Sequence, residues 1–147
     1  MEMIIADLEQ MAGRRYPARR WTRNIAGGAS AIQPGQFAFG YVELEGEGGQ
    51  VPWHNHEQEE VYFVQEGECE ICLGQERGIL RGGQAVFIPS GVFHQLTNVG
   101  KGVAKMFYVY GPAGEVAHWK QELAGTLPRA GEGETPGLPA GAREQCT

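Results

Sequence analysis

Several things are scarce in this chain, and each shortage excludes a class of protein. No apolar run approaches the ~20 residues of a membrane-spanning helix. The opening segment, Met1 to Asp7, lacks the basic region and long apolar stretch of a secretion signal, so a cytoplasmic location is expected. Positive charge is in deficit: 12 Lys and Arg face 18 Asp and Glu, a net charge of −6. Neither nucleic acid nor an anionic membrane is the expected partner of such a surface. The three cysteines are an odd number and do not make a closed disulfide framework. There is no internal repeat, and the 23 glycines show no collagen-like period. What remains is 147 residues, 41% hydrophobic, the size and composition of one globular domain. A chain of that length buries about 70% of its unfolded surface, enough for one core.

Three of the four histidines fall in two stretches. The first runs from Gly48 to Glu60 and places His54 and His56 two residues apart, with Glu60 four residues on. On an extended strand, i and i+2 share a face, so both imidazoles can aim at one point. Glu60 keeps that parity, Glu59 has the opposite one, and Glu57 sits where a turn would face solvent. The second stretch runs from Gly83 to Asn98: a short apolar strand, the turn Pro89-Ser90-Gly91, then His94 leading into another strand. Proline fixes φ and glycine accepts positive φ, so this turn can deliver His94 to the same point. Imidazoles with a carboxylate suit a borderline-to-hard divalent metal.

Strands are expected over 36–45, 60–65, 69–73, 79–81, 85–88, 94–97 and 103–110, with glycine turns between them at intervals of about ten residues. That spacing signals an all-β sandwich or barrel. Cys69 and Cys72 form a C-x-x-C on one such strand; three apart, they face opposite sides and read as free thiols, with Cys146 a bystander in the tail. Ile4, Ile5, Leu8 and Met11 have helical spacing and predict a short amphipathic helix over 3–12. Arg14 to Arg23 holds five of the twelve basic residues. It reads as a solvated connector or, less readily, as an anion-binding arm for a substrate carboxylate or phosphate. Residues 115–123 predict a helix with Val116, Trp119 and Leu123 on one face, and His118 lies there, away from the motifs. From Gly125 onward the Gly- and Pro-rich tail has little to bury and is expected to be extended or disordered unless something holds it. The expected organisation is a helix and connector over 1–19, a barrel over 20–112, a helix over 113–124 and a tail over 125–147.

The two histidine stretches resemble the two motifs of the cupin family. Gly48, His54, His56, Glu60 and Gly67 match G(X)5HXH(X)3-4E(X)6G, and Gly83, Pro89, Gly91, His94 and Asn98 match G(X)5PXG(X)2H(X)3N. The short segment between them is that of small single-domain bacterial cupins. The resemblance implies an all-β, double-stranded β-helix (jelly-roll) barrel and a metal held by His54, His56, Glu60 and His94. It implies one divalent ion per chain, with Mn or Fe favoured by the hard carboxylate and Zn, Ni or Co open. It does not fix the chemistry, because one fold hosts many functions.

Two functions are carried forward. The first is a metal-dependent enzyme, a dioxygenase or other oxidoreductase, acting on a chelating, enolisable, oxygen-rich substrate; an isomerase, cyclase or lyase is its variant. The second is a non-catalytic cupin that binds a small, sugar-like metabolite. Candidate cavity residues are Phe39, Tyr41, Trp53, Tyr62, Phe87, Phe93, Met106 and Tyr108. Tyr41, Tyr62 and Tyr108 are the catalytic candidates, since a phenol can donate to an oxyanion. Gln95 could orient a ligand or face outward. The resemblance also implies a homodimer, with the N-terminal apolar stripe as its contact; a monomer with that stripe folded on its own barrel is the alternative.

Overall fold

The computed structural model describes residues 1–125 and 134–144, apart from the side chains of Ala117 and His118. Cys146 lies outside the described residues, as does the side chain of His118. The described chain forms ten strands, one 3-10 turn and one helix. β1 (Arg14–Tyr16), β2 (Arg20–Ala26), β3 (Ala38–Leu44), β5 (Glu59–Glu66), β8 (Gln84–Ile88) and β10 (Ala104–Gly111) make a six-stranded sheet in the order β1-β2-β3-β10-β5-β8. β4 (Gln50–His54), β6 (Glu68–Leu73), β7 (Glu76–Arg81) and β9 (His94–Asn98) make a four-stranded sheet in the order β4-β9-β6-β7. Every pairing is antiparallel. The two sheets enclose one core, a double-stranded β-helix of jelly-roll type.

Strand alternation sets what fills that core. Val42 and Leu44 of β3, Tyr62 and Val64 of β5, Cys69 and Ile71 of β6, and Met106 and Tyr108 of β10 all point inward and are buried. Gly40 is glycine because the Tyr108 ring lies over it; a Cβ there would sit 2.2 Å from the ring. Asn98 of the second motif closes the barrel at one end. Its Nδ2 donates to the carbonyls of Leu44 (3.0 Å), Glu45 (3.2 Å) and Gly102 (2.8 Å), and its Oδ1 accepts from the Gly100 amide (2.9 Å).

The thiols are buried and free, and they diverge as strand parity requires: Cys69 in the core, Cys72 beside Glu70 on the opposite face. Burial, with Glu68 adding to it, pushes Cys69 up to about 12. Burial and then Glu70 push Cys72 to about 11.

The ends of the chain depart from expectation. In place of a helix over 3–12 there is a 3-10 turn at Leu8–Gln10 with no buried residue, because its apolar stripe meets no partner surface. The arginine-rich segment is not a connector: it forms β1 and β2. Its guanidiniums have separate roles. Arg15 pairs with Glu45 at the surface, Arg19 donates to the Gly46 and Glu47 carbonyls, and Arg23 lies over Trp21. Arg20 is buried. The run of charge masked an alternating strand pattern.

The helix near residue 120, α1 (Ala117–Leu123), has Val116 buried before it and Trp119 packed on the core. Its expected third contact, Leu123, is exposed, and Glu122 is buried instead. The tail lies across the outer face of the four-stranded sheet. There Trp53 Nε1 donates to the Pro136 carbonyl (2.8 Å), Gln95 Nε2 to Arg143 (2.9 Å) and Gln50 Nε2 to Glu144 (3.2 Å), while the Arg143 amide donates to Glu70 Oε1 (2.8 Å). Polar side chains of the sheet hold backbone that has little apolar surface of its own.

Candidate metal centre

Each of the four motif residues arrives by a different local device. β4 carries a register shift against β9 between Val51 and His54, which puts Val51 in the core and His54, three residues later, opposite His94. His56 follows in the loop after β4, and Glu60 enters on β5 with inward parity while Glu59 is exposed. His94 opens β9 after the Pro89–Gly91 turn. That turn is tied to the first motif twice: the Gly91 amide donates to the His56 carbonyl (2.8 Å), and Asn55 Nδ2 donates to the Gly91 carbonyl (3.0 Å).

The result is one cluster. One ligand atom from each of His54, His56, Glu60 and His94 lies within 4.8 Å of the others, and all four residues are buried. The ring centroids are 4.1 Å apart for His54 and His94, 4.9 Å for His56 and His94, and 5.4 Å for His54 and His56.

The backbone fixes the tautomers. Nδ1 of His54 lies 2.6 Å from the Pro52 carbonyl, Nδ1 of His56 lies 2.9 Å from Gln58, and Nδ1 of His94 lies 2.8 Å from Val92. A carbonyl oxygen only accepts, so each Nδ1 carries the hydrogen and each Nε2 presents a lone pair inward. Glu60 Oε1 meets two of those nitrogens, at 3.0 Å from His56 Nε2 and 3.3 Å from His94 Nε2. Lone pairs at such distances repel unless a positive centre is shared between them. A proton on each imidazole does this piecemeal; one divalent cation does it for all four groups. Three nitrogens and one oxygen, with no thiolate, therefore fit the implied metal. Burial raises the pKa of the Glu60 carboxyl; with a proton between it and His56 or His94 in place of the cation, hydrogen bonds and charge outweigh that burial and leave the group lowered.

Beside the cluster is a cavity of about 20 Å³, lined by Glu60, Tyr62, Met106 and Tyr108 from the barrel wall, by Arg20 and Thr22 from β2, and by Val116 and Trp119. It has room for about one water. Of the three tyrosine candidates, Tyr62 and Tyr108 line it and Tyr41 does not. Tyr41 lies on the opposite side of β3 from Val42, beside Phe107, and its hydroxyl donates to Glu43 (3.1 Å). Apolar residues occupy both faces of β3, Phe39 and Tyr41 on one and Ala38, Val42 and Leu44 on the other, and periodicity alone does not say which face is the inner one. Tyr62 interacts with Glu60, and burial first, then that carboxylate, hold its phenol well above 10. Tyr108 donates its hydroxyl to Asn24 (2.7 Å) and is also raised, first by burial.

Other proposed lining residues are corrected by the same parity. Phe39 stacks on Phe107 outside, Phe87 is 52% exposed, and Trp53 and Phe93 pack together near the tail. Gln95 faces the tail, not the histidines. Sequence reasoning missed Arg20 as an individual residue, and Glu122 altogether. A charged residue at inward strand parity was the available signal for the first.

Comparison with known proteins agrees with this geometry. Residues 40–110 match the family model described as "Cupin domain". An uncharacterised protein of Streptomyces coelicolor is 33% identical over 57 residues, 39% of this chain and 53% of that one. The match thus spans about half the length of that curated relative. Among solved structures, TT1209 from Thermus thermophilus superposes with a TM-score of 0.61 at 28% identity, covering 75% of this chain and 98% of that one. An RmlC-like cupin from Shewanella frigidimarina superposes at 0.66 with 17% identity, covering 78% and 95%, which speaks to the fold alone. Both motifs, the barrel and the family match coincide in the same residues, and the chain carries a cupin domain over residues 40–110.

Proposed function

We propose that this cupin is a metal-dependent enzyme acting on a small, oxygen-rich, enolisable substrate, with a dioxygenase or other oxidoreductase as the first reading and an isomerase, cyclase or lyase as its variant. The observation that carries it is the convergence of three Nε2 lone pairs and one carboxylate oxygen beside a cavity. His54, His56, Glu60 and His94 hold the ion; the donor set favours Mn or Fe. A divalent ion bound there supplies a Lewis acid that polarises a chelated carbonyl. Tyr62, protonated and next to Glu60, donates a hydrogen bond to developing negative charge. Val116 and Trp119 form part of the cavity wall.

The test is anaerobic purification, elemental analysis, and dioxygen uptake over a panel of β-diketones and hydroxyketones. Uptake by the wild type that His54→Ala abolishes supports the oxygenase. Conversion of an enolisable substrate without uptake supports the isomerase, cyclase or lyase variant. The small volume of the cavity favours a second reading, a cupin that binds a metabolite without turning it over. Binding without conversion, with any metal, is its signature.

We also propose a cytoplasmic homodimer. Exposed Met3, Ile4 and Ile5 support the contact. Light scattering of the protein with and without residues 1–13 tests it, and equal masses contradict it.

A further inference from the structure

Arg20 has a setting unlike that of any other cation among the described residues. It is 2% exposed, points into the barrel from β2, and lines the same cavity as Glu60. The Tyr16 ring lies 4.2 Å from its guanidinium carbon, Thr22 Oγ1 accepts from Nε (3.4 Å), and the Gln50 carbonyl accepts from Nη1 (3.4 Å). The remaining donors face one carboxylate, Glu122 of α1, in a two-point pair: Nη1 to Oε1 at 2.8 Å and Nη2 to Oε2. Glu122 is 1% exposed while its neighbour Leu123 is 44% exposed. The helix thus turns a carboxylate in and leaves an aliphatic side chain in water. Helix stability does not ask for this, because a buried ion pair is often no more stabilising than apolar residues in its place.

We propose that Arg20 is the anchor for a carboxylate of the substrate, and that Glu122 occupies this subsite in the resting protein as an internal stand-in. The substrate class that follows is a small carboxylate whose other end carries chelating oxygens. The inference rests on the four-ligand centre described above and adds the second recognition point. A planar guanidinium already held by a ring and two oxygens matches a carboxylate in two-point geometry at little further ordering cost. α1 is suited to leave. It is seven residues long, has no side-chain cap at its start, and lies between Gly114 and Gly125, both at positive φ. It borders a groove of about 570 Å³ toward β1 and β2, which gives the helix room to swing outward, and its release would loosen Trp119 from the Tyr108 and Tyr110 rings. With α1 docked the cavity holds about one water, and a substrate carboxylate reaches the Arg20 fork only as Glu122 leaves it.

The experiment uses two probes that differ at one position. Acetylpyruvate carries a carboxylate where acetylacetone carries a methyl, and both chelate through two oxygens. Each is titrated calorimetrically into the full-length protein loaded with redox-inert Zn(II). The wild type is expected to bind acetylpyruvate about tenfold or more tightly than acetylacetone. Glu122→Gln removes the competing charge and should tighten acetylpyruvate about threefold or more, since a closed resting form lowers apparent affinity. Arg20→Met alone would bury an unpaired Glu122, so the decisive variant is the double Arg20→Met/Glu122→Gln, its fold checked by circular dichroism. There the preference should vanish. Amide exchange in 117–123 should quicken when the wild type is saturated with acetylpyruvate. Equal affinities in the wild type, a preference that survives in the double variant, or acetylpyruvate bound with α1 still protected each overturn the proposal. Zinc content separates the two claims. A wild type that holds no zinc contradicts the metal centre, whereas a zinc-loaded wild type without the preference contradicts the Arg20 subsite alone.

Discussion

The amide of Gly91 donates to the carbonyl of His56 over 2.8 Å, joining the two segments that supply the histidines. Gly91 has a φ of +79°, with open space where a Cβ would stand. Replacing it by alanine therefore adds backbone strain without a clash, about 1–2 kcal/mol. Gly91→Ala should lower the urea midpoint accordingly and weaken metal binding, because the turn that presents His94 loses its tie. Unchanged stability and unchanged affinity would mean the turn does not position the ligand.

Asn98 makes one prediction about the barrel itself. Asn98→Ala leaves three carbonyls and one amide at the barrel's closed end without their partner. Buried groups stripped of a partner cost about 1–3 kcal/mol. A loss of that order in equilibrium unfolding is expected, while Asn98→Asp, which keeps the acceptor for Gly100 but turns a carboxylate oxygen toward three carbonyls, should lose at least as much.

Alkaline stability has a definite sign. Burial, and then the Glu43 carboxylate that its hydroxyl faces, raise Tyr41 from 10.0 to about 12. A group whose folded pKa is raised contributes stability that is fully present below the unfolded value, near 10, and is lost as pH climbs toward 12. The urea midpoint should therefore fall between pH 10 and 12, and fall less in Tyr41→Phe. Cys69 and Cys72, raised in the same direction by burial, should resist alkylation at pH 8 in a Cys146→Ser background and react after unfolding.

The tail supplies a fourth prediction. Truncation after residue 133 removes the acceptor of Trp53 Nε1 and the partners of Gln95 and Glu70. Net hydrogen-bond contributions of about 1 kcal/mol each are partly offset by the entropy of ordering the segment. A loss of about 1–2 kcal/mol and a red-shifted tryptophan emission are expected; an unchanged spectrum would mean the tail does not cover Trp53.

How much of this could be read from the chain alone follows from which signals are local. His54, His56, Glu60 and His94 were legible because their spacing carries strand parity and turn chemistry, and the structure brings them to one centre. The divergence of Cys69 and Cys72 was legible for the same reason. β1 and β2 were not, because arginines clustered at 14, 15, 19, 20 and 23 hide a strand from a hydrophobicity pattern, and the Arg20–Glu122 pair that accompanies Arg20's burial spans 102 residues. Tyr41 was assigned to the wrong face because β3 is apolar on both sides. α1 was placed within two residues at its start, but its inward face was shifted by one position, from Leu123 to Glu122, since an ion-pair partner outweighed the apolar stripe.

The central claim is that His54, His56, Glu60 and His94 share one cation. The most direct test is metal stoichiometry by elemental analysis of protein purified without added chelator, for the wild type and for His54→Ala, Glu60→Gln and His94→Ala, each checked for fold by circular dichroism. About one divalent ion per wild-type chain is expected, with a large loss of affinity in every folded variant. A wild type that binds no divalent metal when offered Mn, Fe or Zn, or a folded His94→Ala that keeps its ion undiminished, would contradict it.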